Sequence, residues 1–129
     1  MTEKRVERRT CERFVVPGAV VYWKKKHFVF SGEFTGEYYP VVDVSRGGLR
    51  FLYHEALEAG TAVELKIVIP GENDPLFFKG EVAWTSLNPG RSYKYQVGIQ
   101  FAPFGEQRGQ NSRETLARII SFEERFKAT

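Results

Sequence analysis

The chain has 129 residues, with 42% hydrophobic, 27% charged and 15% aromatic side chains, a size and composition that fit one folded domain and argue against a disordered chain. Its net charge of +3 is too mild to turn the whole surface into a polyanion binder. No stretch approaches the roughly 20 apolar residues of a membrane span, and no apolar segment of a secretory signal follows the N-terminal charges, so neither membrane insertion nor export is expected.

Residues 1–13 read as a flexible arm. Lys4, Arg5, Arg8, Arg9 and Arg13 stand among Glu3, Glu7 and Glu12 with no apolar periodicity. Cys11 is the single cysteine and cannot form an internal disulfide, which fits a reducing, cytoplasmic setting. From Phe14 to Thr129 the pattern is that of a β-rich domain. "FVVPGAVVYW" predicts a strand interrupted at Pro17-Gly18, a pair suited to a bulge or an edge. "HFVFSGEF" reads as an irregular continuation of that run or a short strand. "EYYPVVDVS" and "GLRFLYH" predict two strands of a hairpin, joined through Ser45, Arg46, Gly47 and Gly48. "TAVELKIVI" places Val63, Leu65, Ile67 and Ile69 on one face of a half-buried strand. A turn over 70–75 leads to "LFFKGEVAWTSL", and Asn88-Pro89-Gly90 separates that strand from "YKYQVGIQFAPF". Leu116, Ile119, Ile120 and Phe126 then recur near helical spacing, which predicts an amphipathic helix over about 111–127, with Asn111 and Glu114 as a variant capping box. The expected fold is mainly β: six antiparallel strands in a barrel or sandwich, with the helix packed on an open end or side.

Chemistry for catalysis is sparse. His27 and His54 have no ligand partners at metal-binding spacing, and Cys11, though near Arg9 and Arg13, has no evident base. No phosphate-cradling loop occurs. An enzyme, a metal site and a cofactor are therefore not expected. "DVSRGG" is more informative. Asp43 and Ser45 lie two apart on one strand face, and Gly47 and Gly48 can take positive φ or let a ligand or another backbone come close. Such a stretch also serves as an ordinary polar hairpin. Arg9 and Arg13, four apart, share a side in either a helix or an extended arm. A guanidinium fork matches phosphate oxygens and the O6/N7 edge of guanine, while guanine's other edge offers donors to an ionised Asp. Together the two stretches complement a ligand that carries both guanine and phosphate.

Arg8, Arg9 and Arg13, followed by Asp43, Ser45 and Gly48, resemble the paired signature of the PilZ domain family. "GEVAW" at 80–84 and "VGIQF" at 97–101 are similar to family strands, and the likeness covers roughly 5 to 126. The resemblance implies a six-stranded antiparallel β-barrel with a C-terminal helix and a receptor for the bacterial second messenger cyclic di-GMP. It implies that Arg9 and Arg13 bind phosphate and guanine edges, that Asp43 and Ser45 hold a guanine, and that Gly48 shapes the turn. Arg8 implies two intercalated ligand molecules per protomer. Gly47 and Trp84 are secondary candidates, Trp84 either as a stacking face or as an ordinary strand aromatic. Ligand binding is expected to order the arm and signal to an unidentified downstream effector protein, with motility, biofilm and exopolysaccharide machinery as the outputs of such families. Two other readings stand beside this one: a small barrel that binds single-stranded nucleic acid, which the mild charge disfavours, and an adaptor of the same family that binds no ligand.

Overall fold

Alternation of inward and outward side chains, the period-2 signature of a pleated strand, builds most of the regular structure of this chain. The computed structural model describes residues 12–26, 33–89 and 92–127. Six strands run in chain order, β1 (Val20–Lys25), β2 (Tyr39–Ser45), β3 (Gly48–Tyr53), β4 (Ala62–Val68), β5 (Leu76–Leu87) and β6 (Tyr95–Phe101), followed by α1 (Arg113–Lys127). All pairings are antiparallel, and the spatial order β1-β2-β3-β6-β5-β4 closes into a barrel. The inward rows, Val63-Leu65-Ile67 of β4, Leu49-Phe51-Tyr53 of β3 and Val97-Ile99-Phe101 of β6 among them, fill the interior. The expected hairpin over 39–53 is present, but Ser45 and Gly48 pair with each other as strand residues, so the turn is Arg46-Gly47 alone. Of the expected "HFVFSGEF" strand, residues 27–32 lie outside the described residues, and Gly32's successors Glu33 and Phe34 are not in a strand.

Pro17-Gly18 does break the first apolar run. Gly18 takes φ +78°, where a side chain would be strained, and a Cβ there would also meet the Pro70 ring. The break leaves β1 paired with β2 only through Val20↔Pro40 and Val21↔Tyr39. The segment before it completes the seam: Phe14 N–H donates to Val44 O (2.8 Å), Val44 N–H donates to Phe14 O (2.9 Å), and Val41 N–H donates to Ala19 O (3.1 Å). Phe14 and Val16 are buried in the core, so the entry to the barrel is held by both packing and pairing.

The helix begins two residues later than the sequence predicts, and its cap is different. Ser112, not Asn111, occupies the N-cap, with its Oγ accepting from Thr115 N–H at 3.1 Å. Asn111 is buried, and its amide links the barrel rim: Oδ1 accepts from Lys79 N–H (2.7 Å), and Nδ2 donates to Lys79 O (3.0 Å) and Ala102 O (2.9 Å). An asparagine can satisfy three backbone groups at once, which a neighbouring serine cannot. Ser112→Ala is expected to cost about 1 kcal/mol of stability, read from urea denaturation. Ile119 and Phe122 carry the apolar stripe into the core. Arg118 donates to the carbonyls of Asp74 (2.8 Å) and Pro75 (3.1 Å), and Arg46 of the β2–β3 turn pairs with Glu123. The helix therefore covers the barrel end that carries both of these connections. Among the described residues, no helix is long and apolar enough to cross a membrane.

Candidate functional site

Two bulges decide which side chains face out. Along β2, Val41 stands opposite the core residue Phe51, yet Asp43 stands opposite Arg50, so Val42 is one residue extra. Strict alternation from Val41 would send Asp43 and Ser45 into the barrel. The bulge turns both to the outer surface and gives the interior to Val44. On β5 the register slips in the same way between Val82, opposite Ile99, and Trp84, opposite Gly98, with Ala83 extra. Trp84 thereby leaves the inward row that Val82 belongs to. Asp43, Arg50, Gly98 and Trp84 now form one continuous cross-strand row over β2, β3, β6 and β5. Ser45, Gly48 and Gln100 form the next row.

Two glycines, Gly98 and Gly48, let neighbouring groups pack against bare backbone on this surface. A Cβ on Gly98 would come within 2.3 Å of the Trp84 indole, so the ring lies directly on bare backbone. A Cβ on Gly48 would fall 2.0 Å from the Ile99 carbonyl oxygen. Beside them lies a cleft of about 360 Å³ lined by Arg13, Ser45, Gly47, Gly48, Trp84 and Gly98, among others. Neither Gly47 nor Gly48 takes a positive φ, so that expectation is corrected: Gly48 serves close backbone approach. Trp84 is 36% exposed and walls the cleft, so it lies on the surface of its strand and outside the core.

Charge is concentrated at one edge. Asp43 is buried, and both of its carboxylate oxygens are occupied. Arg13 Nη1 donates to Oδ1 at 3.1 Å, from the residue directly before the Phe14 anchor. Arg50 grips from the other side, with Nε 3.0 Å from Oδ1 and 3.1 Å from Oδ2, and Nη2 on Oδ2. Its remaining Nη1 donates to Gln96 Oε1 at 3.2 Å. The hydrogen bonds to Asp43 hold the Arg50 guanidinium above its already high ordinary pKa. Ser45 Oγ accepts from Gly47 N–H at 3.2 Å and reaches Gly48 O at 3.4 Å, so it braces the turn while lining the cleft. Arg13, Asp43, Ser45, Gly47, Gly48 and Trp84 are thus brought together. Arg8 and Arg9 lie outside the described residues, as do Cys11 and His27. His54 sits just past the far end of β3, its Nε2 sharing a 3.1 Å hydrogen bond with the Tyr39 hydroxyl.

The family model that matches this chain is the PilZ domain, over residues 7–122 of 129. The chain belongs to the PilZ domain family. No curated protein matches it significantly. Within this PilZ domain, sequence reasoning missed Arg50, Gln96, Gly98 and Gln100. Gly98 sits inside "VGIQF", and a glycine within a strand was the available signal for a close approach. Arg50 had none, because its pairing with Asp43 depends on the bulge.

The turn of the site is tied to the helix. Arg46 Nε donates to Glu123 Oε1 at 2.8 Å, Lys127 Nζ lies 3.5 Å from Glu123 Oε2, and Lys127 also pairs with Glu12. The hydrogen bond from Arg46 outweighs burial and holds the Glu123 carboxyl below its ordinary pKa. A folded-state pKa below the unfolded one stabilises the protein above the unfolded value and is lost as pH falls through the folded value. The Glu123→Gln variant should therefore lose stability relative to the parent at neutral pH. That difference should close below about pH 4, under the ordinary glutamate pKa. Urea midpoints across this range would show it, and a pH-independent difference would refute it.

Proposed function

We propose that this PilZ domain is a cyclic di-GMP receptor whose ligand occupies the cleft between Asp43 and Trp84. The observation that carries the reading is the joining of Arg13 from the N-terminal segment to Asp43 of the barrel, at the rim of a cleft with a stacking wall and a glycine floor. Each part suits a portion of the ligand. Trp84 offers an indole face for a purine. Ser45 and the Asp43 carboxylate are acceptors for guanine N1–H and the 2-amino group. Arg9 and Arg13 are forks for phosphate oxygens and for the guanine O6/N7 edge. Arg13 is the exchangeable partner of Asp43, since its side chain is 49% exposed against 32% for Arg50.

Phosphate would draw Arg13 off Asp43, guanine would replace it there, and residues 8–13 would fold across the cleft. Arg8 would add a contact for a second, intercalated ligand molecule. The folded arm would present or hide a surface for a downstream effector protein. Calorimetric titration with cyclic di-GMP tests this directly: saturable binding in the micromolar range or tighter is expected, with two ligands per protomer and a marked loss for Arg9→Ala. No heat at micromolar ligand, or binding indifferent to Arg9→Ala, would sink the reading. A single-stranded oligonucleotide that bound more tightly than the dinucleotide, with a steep salt dependence, would replace it with a nucleic-acid module.

A further inference from the structure

Asp43 has to do two things that conflict. It must be held as a charged acceptor in a buried position, and it must give up Arg13 when a ligand arrives. A buried carboxylate that loses its counter-charge is costly, so a site with Arg13 as the only partner would resist the exchange. The structure supplies a second guanidinium that need not move. Arg50 stands opposite Asp43 in the register of β2 and β3, touches both carboxylate oxygens, and is itself held by Gln96 two strands away from Asp43. Both ends of that chain are rooted in paired strands, whereas Arg13 precedes Phe14, the first bridged residue among the described residues.

We infer that Arg50, braced by Gln96, is a positioning residue for guanine recognition: it keeps Asp43 paired and oriented while Arg13 changes partners. The inference rests on the cyclic di-GMP reading of the cleft. A carboxylate has about four acceptor positions, and Arg50 engages it through one edge, leaving the position now used by Arg13 for a donor from the ligand. The guanine 2-amino group fits that vacancy as an N–H donor, with N1–H left to Ser45 Oγ as acceptor. A base without the 2-amino group fits it less well. Arg50 thus acts on base discrimination as well as on affinity, through Asp43 and without itself touching the ligand.

The test compares cyclic di-GMP with cyclic di-IMP, the inosine analogue that lacks only the guanine 2-amino group. Both are titrated into the parent protein and into Arg50→Ala, Arg50→Lys and Gln96→Ala, with thermal melts confirming that each variant folds. Arg50→Ala should weaken cyclic di-GMP binding by roughly 30-fold and cyclic di-IMP by much less, so that the preference for guanine collapses. Arg50→Lys, which keeps the charge and loses the fork, should recover part of the affinity, and Gln96→Ala should lose about threefold. Equal weakening of both nucleotides by Arg50→Ala, or guanine affinity within about twofold of the parent, would overturn the inference. If Arg50→Ala does not fold, parent-like discrimination in both Arg50→Lys and Gln96→Ala would overturn it. A parent protein that binds neither nucleotide fails the receptor reading itself, and the inference goes with it. A parent that binds cyclic di-GMP beside Arg50 variants of unchanged preference fails the inference alone.

Discussion

Asp43→Ala is expected to weaken cyclic di-GMP binding by about 100-fold, as the loss of a charge-assisted hydrogen bond to a guanine edge in a partly enclosed cleft. The same substitution should cost little in stability. It strips a counter-ion from Arg13 and Arg50, but those side chains are 49% and 32% exposed and can turn to water. Solvent screening then limits the loss to about 1 kcal/mol. The separation of the two effects is the informative part. Calorimetry and urea denaturation on the same preparation would measure both. Binding within tenfold of the parent would mean that Asp43 orders the arm and does not recognise the ligand.

Gly48→Ala should damage the fold itself, by about 3 kcal/mol or more. The added methyl would sit 2.0 Å from the Ile99 carbonyl oxygen, and that atom is backbone in β6. A side chain could rotate away; a paired strand must shift and give up ladder hydrogen bonds to do so. Gly47 provides the control. A Cβ there has only Ser45 Oγ near it, at 4.0 Å, and the residue does not adopt positive φ. Gly47→Ala should be neutral to within about 0.5 kcal/mol, or slightly stabilising through the unfolded chain. Denaturation midpoints of the two variants, adjacent in sequence, would separate a steric requirement from a general taste for glycine in turns. Similar losses in both would contradict the geometry.

How much of this could be read from residues alone depends on what each feature needs. Strands whose side chains alternate cleanly, such as 62–68 with Val63, Leu65 and Ile67, state their own face, and six of them with a terminal helix leave few architectures. The helix stripe was equally plain. The cap was not, since Asn111 and Ser112 both belong to the capping set and only the tertiary partners of Asn111 at Lys79 and Ala102 decide between them. The motif residues Arg13, Asp43 and Ser45 announced a shared task, but not the reason they can share it. Counting outward positions by twos gives the wrong face for Asp43 and for Trp84, because each strand carries one unmatched residue that no composition rule marks. Arg50 and Gln96 were invisible for the same reason. They acquire a role only through the cross-strand register that those two extra residues create.

The pairing of Phe14 with Val44 has a further consequence, best expressed as a concentration. It fixes the chain one residue after Arg13, so Arg9 cannot lie more than about 14 Å along the backbone from Arg13. A cationic fork on so short a tether would, on the proposed receptor reading, be offered to a ligand in the cleft at an effective concentration in the millimolar range. On the same reading, the ligand would meet its first arginine by collision and its second by the closing of a short loop, a step whose rate and cost would be set by tether length. Lengthening the chain between Arg9 and Phe14 with glycines should therefore dilute the second contact gradually, whereas moving the Phe14 anchor should remove it.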